Sequence, residues 1–260
     1  MQKDYYLGTT SRARRCWVLL HGLGDAPSTF STLSELLVNS GNHVLIPDLN
    51  RLWPELANGE PSPSRRLADG LIERIAVWRG DTRTPLYVCG HSVGAFVAIA
   101  LAQKISAIAG IAVLEGSLRS TDALAVGRYL DEEGNDSGRR RLLASLMALP
   151  SRPRLLEYVT SVEATDPDFF RRLALEVVEQ HEEARRQLSE LRMPILYLAG
   201  AQSPGAGAAE LAPIQSIDGG SVIVVKDAGH WVHIDAPADV ARHLSEWADS
   251  GECGRSNGSC

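Results

Sequence analysis

The sequence predicts an α/β protein with a mostly parallel central sheet, helices on both faces and one inserted helical segment. Three observations carry this. Short apolar, β-rich runs bounded by turn residues recur along the chain, stretches with helical spacing lie between most of them, and the interval 116–192 holds no convincing strand.

Taken in order, the apolar runs fall at residues 16–20, 43–46, 86–89, 108–114, 195–198 and 221–225. Each is continuously apolar rather than alternating, the pattern of a strand covered on both faces and hence of a parallel sheet. Residues 29–39, 67–78 and 95–104 place apolar side chains at helical spacing, so strand, helix and strand follow one another with right-handed crossovers. The interval 116–192 carries helical patterns at 139–148 and 169–191, with turn signals at Gly134-Asn135 and Ser151-Arg152-Pro153. A structureless loop of that length is rare inside a compact domain, so a helical cap is expected there, over the carboxyl ends of the strands where open α/β sheets bind ligands. The core is then 1–115 and 193–249, followed by a flexible tail over 250–260.

With 260 residues, 44% of them hydrophobic, the chain is long enough to bury one large core without staples. Its 26 Lys and Arg against 32 Asp and Glu give a net charge of −6, spread along the chain, which points away from nucleic acid. No apolar run approaches the roughly 20 residues of a membrane helix. The opening Met1-Gln2-Lys3-Asp4-Tyr5 is polar and lacks the apolar region of a secretory signal. A soluble, cytoplasmic protein acting on a small molecule is expected, with neither nucleic acid nor membrane as partner. Cys16 and Cys89 sit in strand-like runs and are read as small hydrophobes, while Cys253 and Cys260 lie in the polar tail, where a bridge between them stays open.

The chemistry centres on Gly90-His91-Ser92-Val93-Gly94, between the apolar run 86–89 and the helical run 95–104. This is a G-x-S-x-G in the strand, sharp turn, helix setting that its mechanism needs: the turn holds the serine in a strained conformation above the sheet, and the glycines let strand and helix pass closely. A serine hydroxyl is a poor nucleophile and requires a base. His230 is the best placed of the seven histidines, in a loop just past the last strand. His233 is read as a supporting or surface residue, His43 opens a strand, His181 and His243 lie on polar helical stretches, and His91 packs beside the sheet.

With these pieces the chain resembles the α/β-hydrolase superfamily up to about Asp249. The matching residues are His21-Gly22-Leu23-Gly24 after the first strand, Pro47-Asp48-Leu49 after the second, the Ser92 turn after the third and Gly229-His230 after the last. The resemblance implies an oxyanion hole formed by the backbone N–H groups of Leu23 and Val93. It also implies an acid after the strand 195–198 in a Gly-x-x-Asp setting, and there the sequence departs: it reads Gly200-Ala201-Gln202-Ser203-Pro204. A minority layout of the superfamily takes the acid from the end of the strand after the nucleophile's helix, which here runs directly into Glu115. Glu115 is therefore assigned to orient His230, with Glu210 and Asp218 as fallbacks.

The activity these features imply is hydrolysis of a small or medium ester-type substrate through an acyl-enzyme, with no cofactor or metal required. The alternatives are a stand-alone thioesterase and a non-catalytic ligand-binding homologue; fold resemblance alone also leaves carbon–carbon cleavage open. Trp53, Trp78 and Phe169-Phe170 are read as packing, although the phenylalanine pair could line a pocket, and Arg139-Arg140-Arg141 as a solvated face toward Glu132 and Glu133.

Overall fold

The computed structural model describes residues 5–7, 13–56, 62–80, 83–130, 136–147 and 155–255. The chain opens with β1 (Tyr5–Leu7) and β2 (Cys16–Leu20), then α1 (Ser31–Asn39), β3 (His43–Ile46), α2 (Leu49–Leu52) and α3 (Pro63–Arg79). Next come β4 (Leu86–His91), α4 (Gly94–Lys104) and β5 (Ile108–Leu114), then four helices in succession: α5 (Ser120–Gly127), α6 (Ser137–Met147), α7 (Leu155–Ala164) and α8 (Pro167–Glu190). The chain closes with β6 (Ile195–Gly200), α9 (Ala208–Gln215), β7 (Gly220–Val225), α10 (Val232–Asp235) and α11 (Pro237–Arg255).

The seven strands form one sheet in the order β1-β3-β2-β4-β5-β6-β7. All six expected runs are strands, and every pairing among β2 to β7 is parallel. The addition is β1, antiparallel on β3, a three-residue edge strand too short to show a period.

The continuous apolar runs follow from what covers the sheet. On β2, Cys16, Val18 and Leu20 face one core with α3, α4 and α8, while Trp17 and Leu19 face a second core with α1, α10 and α11. Both faces of β2 are covered, so no position on it calls for a polar residue. Helix α4 lies against the sheet with α3 and α8 packed over it, and Gly94 through Ala102 are all buried, which is why it shows no polar face.

Chain direction places the site. Strand β2 pairs with β3 on one side and β4 on the other, so the connections leaving β2 and β4 diverge and open a crevice at their carboxyl ends, where parallel sheets bind ligands.

One expectation is corrected. Residues 250–255 were assigned to a flexible tail but continue α11, whose Trp247 and Ala248 pack on the second core; the helix holds its register past a Gly because its preceding turns are anchored. Residues 256–260 fall outside the described residues, and with them the Cys253–Cys260 question, as do both expected turns at 134–135 and 151–153. Of the arginine run, Arg139 pairs with Asp136 at 2.7 Å and donates to the Val162 carbonyl oxygen, while Arg140 stays exposed; Glu132 and Glu133 lie outside the described residues. No helix among the described residues is long and apolar enough to cross a membrane.

Candidate active site

Ser92 follows β4 with φ of 52°, the left-handed region, and is almost fully buried. This conformation costs a non-glycine residue roughly 1–2 kcal/mol, and the surroundings hold it. The Ser92 N–H donates to the Leu114 carbonyl at 3.0 Å, and its own carbonyl accepts from Ala95 N–H at 3.1 Å and Ser117 N–H at 3.2 Å. A Cβ on Gly90 would stand 2.4 Å from the Gly94 carbonyl oxygen, and one on Gly94 2.3 Å from that of Leu20. Both flanking glycines are thus fixed by backbone crowding. The Ser92 hydroxyl lies 3.1 Å from that of Ser117.

Strand register sets Glu115 beside this turn, because His91 pairs with Leu114 and Leu114 in turn with Leu198. Glu115 also has positive φ, 46°, and is fully buried. Its Oε1 accepts from Gly200 N–H at 2.6 Å; its Oε2 accepts from Ser203 Oγ at 2.7 Å and Arg119 Nη2 at 2.8 Å. His230 Nδ1 stands 3.6 Å from the same Oε2. Burial alone would raise this carboxyl, but His230 and the Arg119 guanidinium outweigh it and hold the pKa at about 2.

His230 sits in the loop after β7, which Gly229 N–H fastens to Asp235 at 2.8 Å. His91 Nε2 lies 3.0 Å from the His230 carbonyl oxygen and donates to it, since that oxygen can only accept. With Nδ1 toward Glu115, the ring's Nε2 is left for the cavity. Leu23 stands in the turn after β2, and Val93 opens α4 directly after Ser92.

Ser92, His230 and Leu23 line one cavity of about 350 Å³. Its wall comes largely from the helices between β5 and β6, with Val126, Tyr129, Leu142 and Tyr158, and from Trp231 beside the histidine. Phe169 and Phe170 are buried away from it, Phe169 stacked on Trp53 at 4.8 Å.

The structure places Ser92 and His230 on one cavity and Glu115 beside His230; the residues that support them were missed in the sequence. Ser203 occupies the position where Gly-x-x-Asp puts an acid, and instead donates to the acid from β5; the register Gly200-x-x-Ser203 was the readable signal. Arg119, buried and held by Asp122, Gly205 and Glu115, left no sequence signal beyond its spacing from Glu115. Of the fallbacks, Glu210 accepts from Thr121 at 3.0 Å and has no contact with His230. His233 is no surface residue: it is fully buried, stacked on Phe30 at 4.4 Å. With Asp25 and His91 it forms the one cluster among the described residues with metal-ligating chemistry, its ligand atoms within 4.8 Å of one another.

Residues 17–243 match the alpha/beta hydrolase family. The fold is similar to that of MenH from S. aureus, at 14% identity and a TM-score of 0.74 over 97% of this chain and 100% of that one. It is also similar to a thermophilic esterase from Thermogutta terrifontis (20%, TM-score 0.70, 96% and 93%) and the enol-lactonase from Burkholderia xenovorans (15%, TM-score 0.69, 95% and 96%). No curated protein matches in sequence. With its parallel sheet, its serine turn between β4 and α4 and a match over nearly the whole length, the chain belongs to the alpha/beta hydrolase family.

Proposed function

We propose that the protein is a serine hydrolase acting on a small or medium, uncharged ester-type substrate. The observation that carries this is a strained Ser92 and His230 lining one cavity, with a buried, ionised Glu115 standing 3.6 Å from the His230 ring. His230 takes the Ser92 proton, the Ser92 oxygen attacks the carbonyl carbon, and the Leu23 and Val93 N–H groups receive the oxyanion. The tetrahedral adduct collapses with proton transfer from His230 to the leaving alcohol. Water then repeats the sequence on the acyl-enzyme and frees the acid. Glu115 keeps the ring oriented and offsets the charge of the imidazolium.

The helices between β5 and β6 act as the cap over this site. A cavity of about 350 Å³ is at the lower end of the roughly 300–1,000 Å³ range of small-molecule sites. Among the described residues no Lys or Arg lines it, whereas Asp25 and Asp122 do, so an anionic substrate is disfavoured. The esterase and enol-lactonase among the similar folds support an ester-type carbonyl.

The test is hydrolysis of p-nitrophenyl esters from acetate to octanoate, beside matched acyl-thioesters, by the native chain and Ser92→Ala. Activity confined to the native chain is expected, with oxyesters preferred. A thioester preference turns the assignment to a thioesterase, and equal rates in both proteins remove Ser92 as nucleophile.

A further inference from the structure

The turn after β2 is held from two directions. Its carbonyl at Gly22 accepts from Asp25 N–H at 3.2 Å and lies 3.1 Å from His21 Nδ1. Since a trans peptide points its C=O and N–H oppositely, this fixes where the Leu23 N–H aims. The core adds two more ties: His21 Nε2 accepts from Leu49 N–H at 3.0 Å, and Asn50 Nδ2 donates to the Asp25 carbonyl at 2.7 Å. The next peptide is different. The Leu23 carbonyl accepts at 3.0 Å from the hydroxyl of Tyr158, which belongs to α7 and not to the sheet domain.

We propose that Tyr158 is a positioning residue that completes the oxyanion hole from the cap, its hydroxyl locking the Leu23 peptide so that the Leu23 N–H stays aimed at the reacting carbonyl oxygen. This rests on the serine-hydrolase reading and adds to it the source of the hole's rigidity. Leu23 joins two peptide planes: the bonds on the Gly22 carbonyl orient the one that carries its N–H, and Tyr158 holds the following one, which keeps that orientation from drifting when the turn moves. A buried tyrosine needs a partner for its O–H, and burial pushes this hydroxyl up from its ordinary value, so it remains a donor. Its ring also meets Trp231 edge-on at 5.3 Å, and Trp231 meets His230 at 5.5 Å. One cap side chain therefore touches the loop of the oxyanion donor and the neighbour of the base.

Because the oxyanion forms only after attack, loosening this amide weakens the transition state more than substrate binding. Tyr158→Phe keeps the ring packing and removes only the donor. In the full chain we expect kcat to fall about tenfold with KM within about twofold, and amide hydrogen exchange over residues 22–25 to rise about tenfold while β4 and β5 keep their protection. A purely structural role would lower the melting temperature and leave kcat alone. Unchanged exchange over 22–25 overturns the proposal, as does raised exchange with kcat unchanged. If the native chain cleaves none of the esters, the hydrolase reading fails on its own, and the exchange measurement still decides whether Tyr158 holds the turn.

Discussion

Ser92 and Glu115 share an unusual property: both are non-glycine residues with positive φ, 52° and 46°, at the carboxyl ends of neighbouring strands. Strain at two adjacent strand ends persists only where hydrogen bonds over-determine it, and here Ser92 N–H to Leu114 and Glu115 N–H to Leu198 do so at 3.0 and 2.9 Å. The acid is also unusually well supplied with donors. Arg119 and Ser203 occupy the near positions on the very oxygen that faces His230, so the carboxylate is held rigidly and the imidazole is the third and longest contact of that oxygen. Glu115→Gln removes the charge and keeps the shape. It should lower kcat/KM by about a thousandfold on whichever ester the native chain cleaves best, and a loss under tenfold would move the orienting role elsewhere.

Among the elements, the segment between β6 and α9 holds the Glu115 carboxylate in place, Ser203 donating to it directly and Gly205 through Arg119. It bends back over Arg119 so that Gly205 offers its carbonyl at 2.8 Å, and a Cβ there would lie 2.5 Å from the guanidinium carbon. Arg119 cannot swing aside, because its other nitrogens are committed to Asp122 and Glu115. Gly205→Ala should therefore cost about 1–3 kcal/mol in urea denaturation and lower kcat through the displaced acid, whereas an unaffected variant would show that the loop yields freely. Helix α8 makes a comparable contact elsewhere: its buried Glu176 accepts from Ser64 N–H at 3.1 Å and Ser64 Oγ at 2.7 Å, seating a carboxylate at the start of α3 where a helix favours negative charge.

For the whole molecule these two buried carboxylates pull stability in opposite directions with pH. Glu115 is held at about 2, below its ordinary 4.5, so its contribution is present above the unfolded value and is lost as pH falls toward 2, on the order of 3 kcal/mol. Glu176 is raised, chiefly by burial, so the folded state prefers it protonated and loses stability as pH climbs past its unfolded value. Urea titrations at several pH values should find Glu176→Gln at least as stable as the native chain near neutrality, with that advantage gone in acid. The gap between native chain and Glu115→Gln should narrow as pH drops. A Glu176→Gln variant markedly weaker at neutral pH would show that its hydrogen bonds outweigh its burial.

The succession of strands, the serine turn and a histidine just past the last strand were legible in the sequence, since continuous apolar runs and two crowding glycines are local signals. The sequence also located Glu115, because a carboxylate closing an otherwise apolar strand has few partners. Helices α5 and α7 were not legible: α5 is short, and α7 keeps its place by packing on other helices. The ties of Arg119, Ser203 and Tyr158 were decided by tertiary structure alone. Each joins residues brought together by sheet register or by the seating of α7 on the turn after β2, and a hydrogen bond between elements distant in the chain leaves no period in the sequence of either.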